Sequence, residues 1–107
     1  MAFEALEVSL IVLERLGPIE KKVRQKRKSL ADEMGRAGES IPLNLSEGHK
    51  RAGLDRTDFF RRAAGSGGEL TTCLRIARLR GYITAEELDW IDEALDRVRA
   101  MLWKMTH

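Results

Sequence analysis

Apolar residues recur along the whole chain at steps of three and four, and nowhere do they alternate with a period of two. That spacing predicts helices and no strand. The clearest run is Leu88, Ile91, Leu95, Val98, Leu102 and Met105, a heptad seam sustained to the end of the chain. Thr84 stands before it as an N-cap, and Glu87, three residues on, completes a capping box. A preceding helix starts near Asp55 and buries Phe60, Ala63, Gly67, Leu70, Leu74 and Ala77, with Gly81 as its C-terminal glycine. The short link to Thr84 makes these two helices antiparallel. Another helix opens at Ser29 as N-cap, with Asp32 three residues later, and keeps Leu30, Met34, Ala37, Ile41, Asn44 and Gly48 on its seam. Pro42 lies inside that pattern and predicts a kink rather than a stop. The first helix covers about Phe3 to Leu16, with Phe3, Leu6, Leu10 and Leu13 on its seam. Gly17-Pro18 breaks or bends it, or Pro18 opens a continuation whose apolar face is Leu16, Ile19 and Val23. The expected fold is all-α, an antiparallel up-down four-helix bundle formed by residues 1–107 as one domain.

Two of these helices carry more apolar surface than one seam consumes. The first adds Val8, Ile11 and Val12; the last adds Trp90, Ala94, Met101 and Trp103. A broad core stripe would account for them. A subunit interface accounts for them better, because tryptophan is enriched where interfaces concentrate their binding energy. The expected oligomer interface is Val8, Ile11, Val12, Trp90, Met101 and Trp103.

Length and composition narrow the function. A chain of 107 residues with 43% hydrophobic and 34% charged positions folds, but it has no room for a cofactor domain beside its core. The single Cys73 makes no internal disulfide and no thiolate zinc cage, which points to a reducing compartment and a cytoplasmic location. The N-terminal residues show no basic segment followed by an apolar run, so no signal peptide is read there. The longest apolar stretch, Leu10 to Leu13, is far shorter than the roughly 20 residues of a membrane span, so no membrane partner is expected.

The net charge of +2 conceals an asymmetry. From Arg15 to Lys28 seven basic residues face one acid; from Thr84 to Asp96 there are six acids and no lysine or arginine. Such a dipolar surface suits an anionic partner, a charged neighbour, or both. A solvated charged segment is the plain reading of the basic run, and nucleic-acid binding through phosphates is the sharper one. The residues expected to form that surface are Lys21, Lys22, Arg24, Lys26, Arg27, Lys28, Lys50 and Arg51. The arginines of the third helix (Arg61, Arg62, Arg75, Arg78 and Arg80) add to the basic count, and no exposed aromatics are interleaved to read bases.

Enzymatic readings find little support. Asn44, on a seam between apolar neighbours, needs partners to avoid a cost of about 1–3 kcal/mol, and fixes register more readily than it performs catalysis. The Gly65-Ser66-Gly67-Gly68 run follows no strand and ends in no Lys-Ser/Thr pair, so it matches no phosphate loop; a small-residue patch approached by another backbone is the expectation. Glu47 and Glu69 are candidate inward carboxylates, but no Glu-x-x-His pair accompanies them, and no metal or other cofactor is expected. Cys73 reads as a partly buried, inert thiol. Without a base and a nucleophile to pair, the chain is read as no enzyme.

Several strings together resemble a known family: Leu30-Ala31-Asp32 leading to Arg36-Ala37, Ser40-Ile41-Pro42-Leu43-Asn44-Leu45-Ser46-Glu47-Gly48, Ala64-Gly65-Ser66 with Glu69-Leu70, and Gly81-Tyr82-Ile83. They are similar to the bacterial four-helix-bundle family named for proteins encoded in intervening sequences of 23S ribosomal RNA. The resemblance implies an up-down bundle assembled as a homopentameric ring. It also implies kinship with the accessory variability proteins of diversity-generating retroelements, whose basic rings bind nucleic acid and a reverse transcriptase. No enzymatic activity comes with it. The family's recurrent polar residues map onto Asn44, Glu47, Ser66 and Glu69 as inter-helix contacts. Gly38-Glu39 and Gly67-Gly68 depart from the family pattern. The functional expectation is a non-enzymatic oligomeric adaptor that binds RNA or DNA through phosphate contacts and assists a reverse transcriptase or other RNA-associated process. The rival is a purely protein–protein scaffold, its basic run meeting the acidic start of the last helix in a neighbour.

Overall fold

A computed structural model describes residues 2–107. Four helices follow one another: α1 Ala2–Arg24, α2 Lys28–His49, α3 Gly53–Leu79 and α4 Ala85–Thr106. Each packs on its sequence neighbours and α4 closes on α1, so the order around the bundle is the order along the chain. Side-chain pairs set the directions. Arg15 meets Glu93 and Lys22 meets Glu87, which makes α1 and α4 antiparallel. Arg36 meets Glu69 and Ser66 meets Ser40, which does the same for α2 and α3. The bundle measures 42 × 23 × 20 Å. α1 and α3 finish at one end; α2 and α4 finish at the other.

Helices α3 and α4 bury the seams the spacing predicts: Phe60, Ala63, Gly67, Leu70, Leu74 and Ala77 on one, Ile91, Leu95, Val98 and Leu102 on the other. The capping box forms as expected. The Glu87 N–H donates to Thr84 Oγ1 at 3.1 Å, and the Thr84 N–H donates to Glu87 Oε1 at 2.8 Å. Gly81 takes φ +76°, the Gly81 N–H donates to the Arg78 carbonyl and the Tyr82 N–H to the Ala77 carbonyl, closing α3 with the paired bonds of a Schellman turn. α2 begins one residue before Ser29; Arg27 is the N-cap residue and no side chain caps it. α3 begins at Gly53, two residues ahead of Asp55.

The first helix decides between two expectations and corrects a third. It runs unbroken through Gly17-Pro18 to Arg24, as the reading of a continuation with Leu16, Ile19 and Val23 on its apolar face expects; these three extend one buried stripe across the proline. That stripe is Ala5, Ser9, Val12, Leu16, Ile19 and Val23, spaced by four and three. Of Phe3, Leu6, Leu10 and Leu13, expected on the seam, Leu6 and Leu13 are half-buried against the core, while Phe3, 63% exposed, and Leu10, 44% exposed, face outward on a second stripe. Leu16 of the inner stripe seats in the space that Gly38 leaves on α2. At Gly38 a β-carbon would lie 2.5 Å from Leu16 Cδ2. Val8 and Val12 are therefore core residues, with no surface left to give a neighbouring copy. Ser9, also fully buried, donates to the Leu6 carbonyl at 2.7 Å. Pro42 is buried within α2, which continues past it to His49.

Candidate nucleic-acid interface

The eight basic residues singled out by sequence do not share one surface. Lys21, Lys22, Arg24, Lys26, Arg27 and Lys28 gather where α1 turns into α2; backbone bonds from the Lys26 and Arg27 N–H groups to the Val23 carbonyl close that turn. Lys50 and Arg51 follow α2, whose 22 residues carry them about 33 Å away to the opposite end. There Arg51 pairs with Asp55 at 3.0 Å and Glu47 at 3.3 Å, and lies over the Phe59 ring at 5.3 Å; Lys50 reaches Glu47 at 3.9 Å. Asp55, then Glu47, pushes the Arg51 guanidinium further above its ordinary range.

At the first end half of the cluster is internally neutralised. Lys22 Nζ lies 2.7 Å from Glu87 Oε1 and holds that carboxyl below the usual range, with the Thr84 N–H adding to the effect. Arg24 pairs with Asp32 at 2.7 Å and Glu20 at 3.2 Å; Asp32, pulled down chiefly by Arg24, also meets Lys28 at 3.4 Å. Arg15 binds Glu93 at 2.8 Å and the Trp90 carbonyl, its guanidinium 5.7 Å from the Trp90 ring centre. The basic run thus meets the acidic start of α4 within one chain.

Lys21, Lys26 and Arg27 have no carboxylate within 4 Å among the described residues, and neither do Arg75, Arg78 and Arg80, which α3 brings to the same end. Arg27, Ser29, Leu30, Glu33 and Ile76 line one shallow cleft; Arg75, Arg78, Ile76, Leu79 and Leu88 line the next. The three α3 arginines were only part of a general basic count in the sequence. Their shared end with the α1–α2 turn follows from α1 and α3 running parallel.

The four expected polar contacts divide into three places. Asn44 Nδ2 donates to the Ser40 carbonyl at 2.8 Å and to Ser40 Oγ at 2.9 Å, and Ser66 Oγ lies 2.7 Å from Ser40 Oγ. Ser40 is the hub, a residue whose i, i+4 relation to Asn44 is the only signal for it in sequence. Glu47 goes to Arg51 and Lys50 at the bundle end; Glu69 goes to Arg36, which also holds Glu33 at 2.9 Å. Both glutamates are thus committed to cations, and no three of His, Cys, Asp and Glu gather as metal ligands among the described residues. In the glycine run only Gly67 is closely approached, by Arg99 Cγ at 3.3 Å from a β-carbon position; Gly65 faces open space, against the expectation of a close backbone contact. Cys73 is buried, and that burial, followed by Glu33 and Glu69, raises its thiol pKa. Of the expected interface residues, Trp90 and Trp103 are 46% and 61% exposed, while Ile11 and Met101 are half-buried. Among the described residues no helix is long and apolar enough to cross a membrane.

No curated protein matches the chain. Among solved structures it is similar to a protein of unknown function from the S23 ribosomal protein family of Bacteroides thetaiotaomicron VPI-5482, with a TM-score of 0.88 at 20% identity over 95% of this chain and 97% of that one. At that identity the likeness speaks for the four-helix fold. The model of the 23S rRNA-intervening sequence protein family matches residues 5–104. With nearly its whole length covered, the chain belongs to the 23S rRNA-intervening sequence protein family.

Proposed function

We propose that the chain is a non-enzymatic, oligomeric adaptor that holds nucleic acid through phosphate contacts. The observation that carries this reading is the end of the bundle where Lys21, Lys26, Arg27, Arg75, Arg78 and Arg80 stand without carboxylate partners while their neighbours are paired off. Cations left free of internal partners are the ones that release counterions when they meet a polyanion, so their number sets the salt dependence of binding. Lys22, Arg24 and Lys28 belong to the same surface in a lesser role, since a phosphate must compete there with Glu87 and Asp32. Lys50 and Arg51 form a separate, largely neutralised patch. The exposed flanks of α4, Trp90 and Trp103, with Met101 and Ile11 beside α1, are the surfaces through which copies associate. A ring of five, each subunit at +2, carries +10 and strengthens the field a polyanion meets.

The test is fluorescence anisotropy with single-stranded and duplex RNA and DNA across a salt series. The reading expects affinity to fall steeply with salt, and Lys26→Gln, Arg27→Gln, Arg75→Gln and Arg78→Gln together to flatten the slope while Lys50→Gln leaves it unchanged. Absence of binding at low salt removes the reading and leaves the protein–protein scaffold.

A further inference from the structure

The outward stripe of α1 has the spacing of a packing seam and is only partly covered: Leu6 and Leu13 are half-buried against the core, while Phe3 and Leu10 stand open. Phe3, Leu6, Leu10 and Leu13 run three turns, about 15 Å, beside Pro42 and Leu43 of α2. Leu6, Leu10, Leu13, Pro42 and Leu43 line an open groove of about 440 Å³, with Leu43 66% exposed. An apolar patch of this extent, on a helix already satisfied on its other side, marks an interaction surface.

The charges around the groove identify its occupant. Glu39 lines its α2 side. Glu7 and Glu14 follow Phe3 and Leu10 by one turn each on the other margin, two helical turns apart from each other along α1. None of the three has an ion pair or hydrogen bond among the described residues, and neither residues 2–14 nor 37–49 contain a lysine or arginine. Two such grooves placed face to face would bring carboxylate onto carboxylate, which disfavours a two-fold pairing of copies through this face, and the ring proposed above joins copies through the α4 flanks instead. Anchors at i, i+3, i+7 and i+10 between two acidic margins complement an amphipathic helix with leucine-like residues on one face and lysine or arginine beside them. The geometry points to the α1–α2 groove as a docking site for a basic amphipathic helix of a partner protein. This site is on a different surface from the cationic end and does not depend on nucleic-acid binding there.

The probe is a fluorescein-labelled 18-residue helical peptide with leucines at i, i+3, i+7 and i+10 and lysines flanking them, compared with the same peptide carrying glutamates in place of the lysines. The lysine peptide is expected to bind at least tenfold more tightly than the glutamate peptide. Leu10→Ser with Leu43→Ser, both on the surface, is expected to weaken it tenfold or more with the helical circular dichroism and self-association of the protein unchanged. Glu7→Gln, Glu14→Gln and Glu39→Gln together are expected to abolish the preference for lysine. Failure of the lysine peptide to bind, or equal binding of both peptides, overturns the assignment. So does loss of self-association in the double serine variant, which gives the groove to a second copy.

Discussion

Two glycine-to-alanine substitutions in neighbouring helices should change stability in opposite directions. In α2 a β-carbon at Gly48 would stand 2.6 Å from Phe60 Cε1, 2.8 Å from Phe60 Cδ1 and 3.1 Å from Phe59 Cβ. Phe60 is 4% exposed, and its flat ring has no flexible end to swing aside. Overpacking of this kind costs about 1–3 kcal/mol. Replacing a helical glycine by alanine returns about 1 kcal/mol of backbone entropy. Gly48→Ala should therefore lose about 1 kcal/mol net. In α3 a β-carbon at Gly65 meets nothing within 4 Å, so Gly65→Ala keeps the whole gain of about 1 kcal/mol. The two variants should differ by about 2 kcal/mol. For a chain of this length that corresponds to about 8–16 °C in Tm. Urea and thermal denaturation at one fixed protein concentration measure both, the concentration being held because self-association shifts apparent stability. If Gly48→Ala proves as stabilising as Gly65→Ala, α2 and α3 do not approach closely at Gly48 and Phe60.

Other outcomes follow from the caps and charges. Thr84→Ala removes the acceptor of the Glu87 N–H and should cost about 1 kcal/mol in urea denaturation. Asp92 is held above the usual carboxylate range, first by burial, then by Asp96, with Arg75 opposing. A carboxyl whose folded pKa is raised destabilises the fold when ionised; that penalty is full above the folded value, shrinks as pH falls below it and is gone below the unfolded value. Asp92→Asn should raise Tm at pH 7, and the difference should shrink to nothing near pH 3 in a pH series of thermal melts. Asp32, Glu87 and Glu93 are held low by Arg24, Lys22 and Arg15 respectively, so their stabilising contribution is present above the ordinary carboxylate range and is lost as the solution is acidified below it.

What could be read from residue order alone was local. The Thr84–Glu87 box, the Gly81 turn and the α3 and α4 seams each depend on residues within a turn or two of one another, and all formed where expected. On α1 two stripes satisfy the same three-four spacing, and periodicity carries no information about which one faces inward. That is settled by the fit of Leu16 against Gly38, twenty-two residues away. The same limit explains why Val8 and Val12 were expected on an interface and are in the core. The cationic surface failed for a topological reason. Lys50 follows Lys28 closely along the chain, yet a full helix separates them, while Arg78, fifty residues on from Lys28, returns to its end. Ion pairing between α1 and α4 likewise joins residues more than sixty positions apart, so a run that looks strongly basic in one dimension is half compensated in three.

Glu87 Oε1 receives both the Thr84 N–H and the Lys22 ammonium. A single oxygen thus clasps the opening of the last helix and tethers it to the closing turn of the first. Fraying of either segment takes a contact from the other, so the two helix ends are coupled through one exposed ion pair although the chain separates them by its entire middle.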